Sequence, residues 1–163
     1  MKKIAVAFTG QSNSGKTTLI VKLSTKLQEN GYKVCIIKHD PKDKAKFDKE
    51  GKDSYKFSST GADVAVVSPT RTTMFKQQTS KIDEIVAMFG EFDYLLVEGL
   101  KSLPLPRICV QRESLNEQYF DFSDVIAIDI TIDKNSIPNE VEYLDLNNLN
   151  EIIKWIDKNG KRY

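Results

Sequence analysis

A single histidine, two cysteines and no apolar run near the ~20 residues of a bilayer span limit what this 163-residue chain can be. One histidine, His39, supplies neither a histidine-rich zinc site nor a triad, because no partner residues at suitable spacing accompany it. A partly buried, hydrogen-bonding histidine is the expectation. Cys35 and Cys109 lie alone in separate apolar strand patterns without a C-x-x-C spacing, which predicts buried, reduced core residues rather than a metal or redox pair. No signal-peptide cleavage pattern follows Met1-Lys2-Lys3, so a cytoplasmic protein is expected, with no membrane contact. The formal net charge is only +1, and acids interleave with the lysines, which argues against a nucleic-acid-binding face.

That balance hides an asymmetry. Residues 1–112 carry 19 Lys/Arg against 12 Asp/Glu, whereas residues 113–163 carry 5 against 11. A basic part suits an anionic ligand, and opposed halves suit self-complementary association.

The ligand is indicated by Gly10 to Thr17, Gly-Gln-Ser-Asn-Ser-Gly-Lys-Thr, which fits the phosphate-loop pattern G-x-x-x-x-G-K-[ST] at every fixed position. The pattern is informative only between a strand and a helix. Ile4 to Phe8 reads as a buried parallel strand, and Gly15 to Asn30 as an amphipathic helix with Leu19, Ile20, Leu23 and Leu27 on one stripe. Gly10 and Gly15 let consecutive N–H groups converge on an anion, and the helix N-terminus adds its positive dipole end. Lys16 is then expected at the β- and γ-phosphates, acting in catalysis as well as binding. Thr17 is expected on Mg²⁺ and Thr18 at the α-phosphate, with Ser12, Asn13 and Ser14 as further donors.

The remaining pattern predicts one α/β domain over residues 1–163, a three-layer P-loop NTPase fold. Its sheet is mostly parallel with an antiparallel extension, and helices cover both faces. Strands are expected at Lys33 to Lys38, Ala65 to Ser68, Tyr94 to Val97, Ile108 to Val110 and Val125 to Ile130, with Arg71 to Phe75 returning as a hairpin partner. Helices are expected from an Asp53 cap to Thr60, over Ile82 to Phe89 and over Leu149 to Asn159. Residues 40–53 read as a mobile charged loop, and Leu103 to Pro106 as extended chain.

Two strand-end carboxylates are candidates for the metal and water shell. Glu98 closes the apolar run Leu95-Leu96-Val97, in the manner of a Walker B residue. Asp40 closes Lys38-His39-Asp40, from which it can approach both the metal and the attacking water. Lys101 and Arg107 are candidates for a second anionic ligand, with Thr70 and Arg71 as weaker ones. The chain lacks an Asn-Lys-x-Asp element for reading guanine. Asp129, Asp133 and Pro138 follow the last strand, where a base can sit, but their spacing leaves guanine and adenine both open.

Taken together, GQSNSGKTTL at Gly10 to Leu19, Lys38-His39-Asp40, Gly51-Lys52-Asp53-Ser54-Tyr55, Val67-Ser68-Pro69-Thr70-Arg71 and Val97-Glu98-Gly99-Leu100-Lys101 resemble the molybdopterin-guanine dinucleotide biosynthesis protein B family. The resemblance implies a dimeric GTP-binding protein with weak Mg²⁺-dependent GTPase activity. It also implies work beside the guanylyltransferase of molybdenum cofactor assembly, with molybdopterin as a further ligand. Two departures stand out: Pro41 and lysines replace histidines that often follow Lys-His in the family, and Leu100 replaces an aromatic residue. Among other classes, a small-molecule kinase shares the loop and would use residues 40–53 as a lid. A scaffold holding nucleotide as a structural ligand is the third reading.

Overall fold

A computed structural model describes residues 1–163, which cluster into two compact units: Met1–His39 with Glu91–Tyr163, and Asp40–Gly90. The first unit holds a seven-stranded sheet. Its strands are β1 (Ile4–Thr9), β2 (Val34–Lys38), β5 (Tyr94–Glu98), β6 (Arg107–Gln111), β7 (Val125–Ile128), β8 (Tyr143–Asp145) and β9 (Lys161–Arg162). The order is β2-β5-β1-β6-β7-β8, all parallel. β9 pairs antiparallel with Ile4 and Ala5 because β6 engages only the later residues Ala7 to Thr9 of β1.

Strand side chains alternate between two faces, and this period divides the core. Ile4, Val6, Phe8, Tyr94, Leu96, Ile108, Val110, Val125 and Ala127 join Leu19, Ile20, Leu23 and Leu27 of α1 (Lys16–Glu29) and Ile152, Trp155 and Ile156 of α4 (Leu149–Asn159). On the other side, Cys109, Ile126 and Ile128 pack with Ile132 and Ile137, flanked by Tyr119 and Phe120 from a 3-10 turn at Glu117–Phe122. Both cysteines are buried and free, as expected.

The second unit contains α2 (Asp53–Ser58), the antiparallel hairpin of β3 (Val64–Val67) and β4 (Thr72–Phe75), and α3 (Ile82–Phe89). The hairpin is a two-stranded sheet of its own. Glu84 accepts from the Lys81 amide at the start of α3, fixing its first turn.

Several boundaries differ from expectation for local reasons. Lys52, not Asp53, occupies the cap of α2; Asp53 sits inside the first turn, where its carboxylate pairs with Lys56 at 3.2 Å. β7 stops at Ile128 because Asp129 bends the chain by accepting from the Thr131 amide, which leaves Ile130 98% exposed. Leu103 to Pro106 is not simply extended: Leu103 N–H donates to the Leu100 carbonyl, and Leu105 N–H to that of Leu103. The side chain of His39 is exposed rather than partly buried; its backbone N–H donates to the Glu98 carbonyl at 3.0 Å, continuing the β2–β5 ladder past the strand.

Candidate functional site

The loop after β1 turns through Gly10 at φ +136°, Asn13 at +63° and Gly15 at +95°. Gly10 is sterically required: a Cβ there would lie 2.4 Å from the Val110 carbonyl oxygen of the neighbouring strand. Ser14 is turned inward and buried, whereas Ser12, Asn13, Thr17 and Thr18 face solvent. Lys16 folds across the mouth of the loop, its Nζ donating to the carbonyls of Gly10 at 3.1 Å and Gln11 at 2.5 Å. Burial lowers the pKa of the Lys16 ammonium from its ordinary value, and the Glu98 carboxylate opposes that shift.

Sheet register brings the second half of the site to this loop. Phe8 is paired with Glu98, and Glu98 with Lys38, so the ends of β1, β5 and β2 stand level at the carboxyl edge. The Thr17 hydroxyl donates toward both Glu98 carboxylate oxygens, at 3.3 and 3.2 Å. Lys38 Nζ lies 3.5 Å from the same carboxylate. A cavity of about 430 Å³ is lined by Ser12, Asn13, Gly15, Lys16, Thr17, Thr18, Lys38 and Glu98. Lys38 was absent from the sequence-based site. Its signal was the strand end itself, since a lysine closing β2 beside β5 becomes a site residue once the strands are known to be neighbours.

The remaining candidates divide. Asp40 belongs to the second unit, where its carboxylate accepts from the amides of Lys44 and Ala45, each at 2.7 Å, and of Lys42 at 3.3 Å. Arg107 is not a ligand-facing cation. It is 2% exposed and donates to the carbonyls of Gly99 at 3.0 Å, Leu100 at 3.0 Å and Leu103 at 3.2 Å, latching the turn that follows Glu98. Lys101 instead lies over the rings of Tyr119 and Phe122. Asp129 is held by Arg112, whose Nε donates to it at 2.7 Å.

For Mg²⁺, the Thr17 hydroxyl and Glu98 carboxylate are a hard-oxygen donor pair of the kind that holds this ion directly or through water. Carboxylate and hydroxyl, metal, phosphate loop and lysine are the parts that nucleotide chemistry on this fold requires.

Comparison with known proteins identifies the family and the fold. The family model for molybdopterin guanine dinucleotide synthesis protein B matches residues 5–131. The molybdopterin-guanine dinucleotide biosynthesis adapter protein of Haemophilus influenzae is 29% identical over 159 residues, 93% of this chain and 86% of the relative. A probable adapter protein of the same description from Bacillus subtilis is 30% identical over 128 residues, 76% of this chain and 73% of its own. In fold, the chain is similar to the crystal structure of Bacillus subtilis MobB, with a TM-score of 0.74 and 24% identity over 97% of this chain and 98% of that one. It also resembles the hydrogenase maturation factor HypB from Archaeoglobus fulgidus, at a TM-score of 0.52 and 19% identity over 95% and 87%. No helix is long and apolar enough to cross a membrane. With a P-loop fold, a threonine–glutamate pair at the loop and a family model running from β1 to the turn after β7, the chain belongs to the molybdopterin guanine dinucleotide synthesis protein B family.

Proposed function

We propose that this protein is a GTP-binding adapter in molybdopterin guanine dinucleotide synthesis, with slow Mg²⁺-dependent GTP hydrolysis coupled to the molybdenum cofactor guanylyltransferase. The observation that carries the nucleotide part is the contact between the Thr17 hydroxyl and Glu98 at the loop mouth. The adapter part rests on family membership and on the description of its relatives as biosynthesis adapter proteins.

In this reading the loop amides and the start of α1 bind the β-phosphate, and Lys16 leaves the Gly10 and Gln11 carbonyls to meet the β- and γ-phosphates. Thr17 and Glu98 would hold Mg²⁺, and the ion, when bound, would offset charge on the phosphate oxygens. Thr18 contacts the α-phosphate. Lys38 adds positive charge beside Glu98. Slow turnover suits a protein whose nucleotide state serves a partner. The working form is a cytoplasmic homodimer, with molybdopterin as a further ligand. Exposed Phe57, Val67, Met74 and Met88 on the second unit support an association surface there.

The test is titration calorimetry with GTP and ATP, with and without Mg²⁺, on the wild type and Lys16→Ala, repeated with the guanylyltransferase present. Tighter, Mg²⁺-dependent GTP binding that disappears in Lys16→Ala is expected. The partner should shift nucleotide affinity, and nucleotide should shift partner affinity by the same factor. Equal or absent binding of the two nucleotides overturns the proposal.

A further inference from the structure

The phosphate site says nothing about the base. A second cavity, about 130 Å³, adjoins the loop at Gly15 and Thr18. Its wall is formed by Arg112, Asp129 and Asn147, which lie one or two residues beyond the ends of β6, β7 and β8. These three strands step outward from β1 in that order, so the cavity continues the carboxyl edge along which ligands bind in open α/β sheets.

Arg112 and Asp129 are unequal partners in this wall. The Asp129 side chain is 10% exposed. One oxygen accepts from Arg112 Nε, and the other accepts from both the amide and the hydroxyl of Thr131. Burial acts to raise the Asp129 carboxyl, but the Thr131 and Arg112 contacts outweigh it and hold it below its ordinary value. A carboxylate offers about four acceptor positions, so this ionised group has little capacity left for a ligand. Arg112 has spent one N–H of five, and its side chain remains 43% exposed. Its Cδ and Nη1 lie 3.6 Å from where a Cβ on Gly15 would stand, so the guanidinium approaches the loop with no side chain between them.

We propose that Arg112 selects the base, reading a purine with oxygen at C6 through its Nη donors, and that Asp129 is the positioning residue that sets the plane of the guanidinium. The inference rests on the nucleotide reading of the loop. Guanine and hypoxanthine present two acceptors, O6 and N7, to an arginine fork, whereas adenine turns an amino donor toward it. A carboxylate reader would instead accept from N1–H and the 2-amino group, and hypoxanthine lacks the second of these donors.

Competition titrations on the full chain with Mg²⁺ should use GTP, ITP, ATP and inorganic tripolyphosphate, on the wild type, Arg112→Lys and Asp129→Asn. ITP should bind within a few fold of GTP, and ATP more weakly. Arg112→Lys keeps the charge but loses the fork, so GTP and ITP should weaken roughly 5- to 150-fold, the discrimination expected of one bidentate arginine–base contact. ATP and tripolyphosphate should hardly change. Asp129→Asn should lower the GTP-to-ATP ratio while tripolyphosphate affinity stands, which a merely structural role would not do. The inference is overturned if ITP binds far more weakly than GTP, if Arg112→Lys weakens all four ligands alike, or if it changes none. Wild type that binds neither GTP nor tripolyphosphate would remove the nucleotide reading itself, and the base assignment with it.

Discussion

Replacing Arg107 by Leu tests whether a buried cation maintains the turn behind Glu98. The guanidinium makes three hydrogen bonds to carbonyls at 3.0 to 3.2 Å, each from a charged donor. Such bonds contribute about 1.5 kcal/mol or more apiece, so their loss costs roughly 4 to 5 kcal/mol. Removing the charge recovers part of the expense of burying it, a few kcal/mol, and Leu fills much of the volume. Burial lowers the Arg107 pKa from its ordinary value, with Asp124 opposing, which is the signature of that desolvation. The net loss expected is about 2 to 3 kcal/mol, a large share of the ~5–15 kcal/mol that holds a typical domain. Urea unfolding followed by the fluorescence of Trp155, buried against the main core, reports it. With a slope of about 1–3 kcal/mol per molar, the midpoint should fall by roughly 1 M or more at unchanged slope. Arg107→Lys, which keeps the charge but reaches fewer carbonyls, should lie between. A midpoint that moves by less than about 0.3 M in Arg107→Leu would refute the latch, showing that water satisfies those carbonyls equally well.

Other outcomes follow from the same geometry. Thr17→Val, close in shape but without the hydroxyl, should abolish the Mg²⁺-dependent part of GTP affinity while leaving metal-free binding nearly unchanged in calorimetry; Glu98→Gln should weaken it less. Gly10→Ala must relieve both a positive φ and a Cβ placed 2.4 Å from the Val110 carbonyl oxygen, so its thermal midpoint should drop by an amount equivalent to about 2 kcal/mol or more. Burial pushes the Cys109 thiol up to about 11 and the Tyr94 phenol, which also donates to Asp157, up to about 12. Both groups are neutral when protonated, so their contribution is complete below their ordinary values of 9 and 10. It is lost as pH rises through 9–11 and 10–12, and urea midpoints should decline across that window. Tyr94→Phe should flatten the upper part of the decline.

The phosphate loop was legible in the sequence because its parts are contiguous: a strand, a turn needing Gly10 and Gly15, and a helix with a regular stripe. Glu98 was legible for a similar reason, as the first polar residue after an apolar strand. The short strands β8 and β9 gave no such signal, since three and two residues cannot display a period. β9 forms because β6 leaves the beginning of β1 unpaired, a fact of sheet assembly rather than of its own residues Lys161 and Arg162.

In the sequence Arg107 looks like a ligand group because it flanks the Pro-containing segment after Glu98; its carbonyl acceptors show it to be a buried latch instead. Lys38 and Arg112 depended on register. In neighbouring parallel strands, paired positions are followed by residues that also stand side by side. The pairing of Lys38 with Glu98 thus delivers a lysine to the carboxylate at the mouth of the phosphate loop. The pairing of Gln111 with Ile128 sets the next residues, Arg112 and Asp129, together as an ion pair beside the phosphate loop. Strand adjacency therefore carries information that the contiguous phosphate-loop motif does not, and it brings opposite charges together at paired strand ends, as in Lys38 and Glu98, or one step beyond them, as in Arg112 and Asp129.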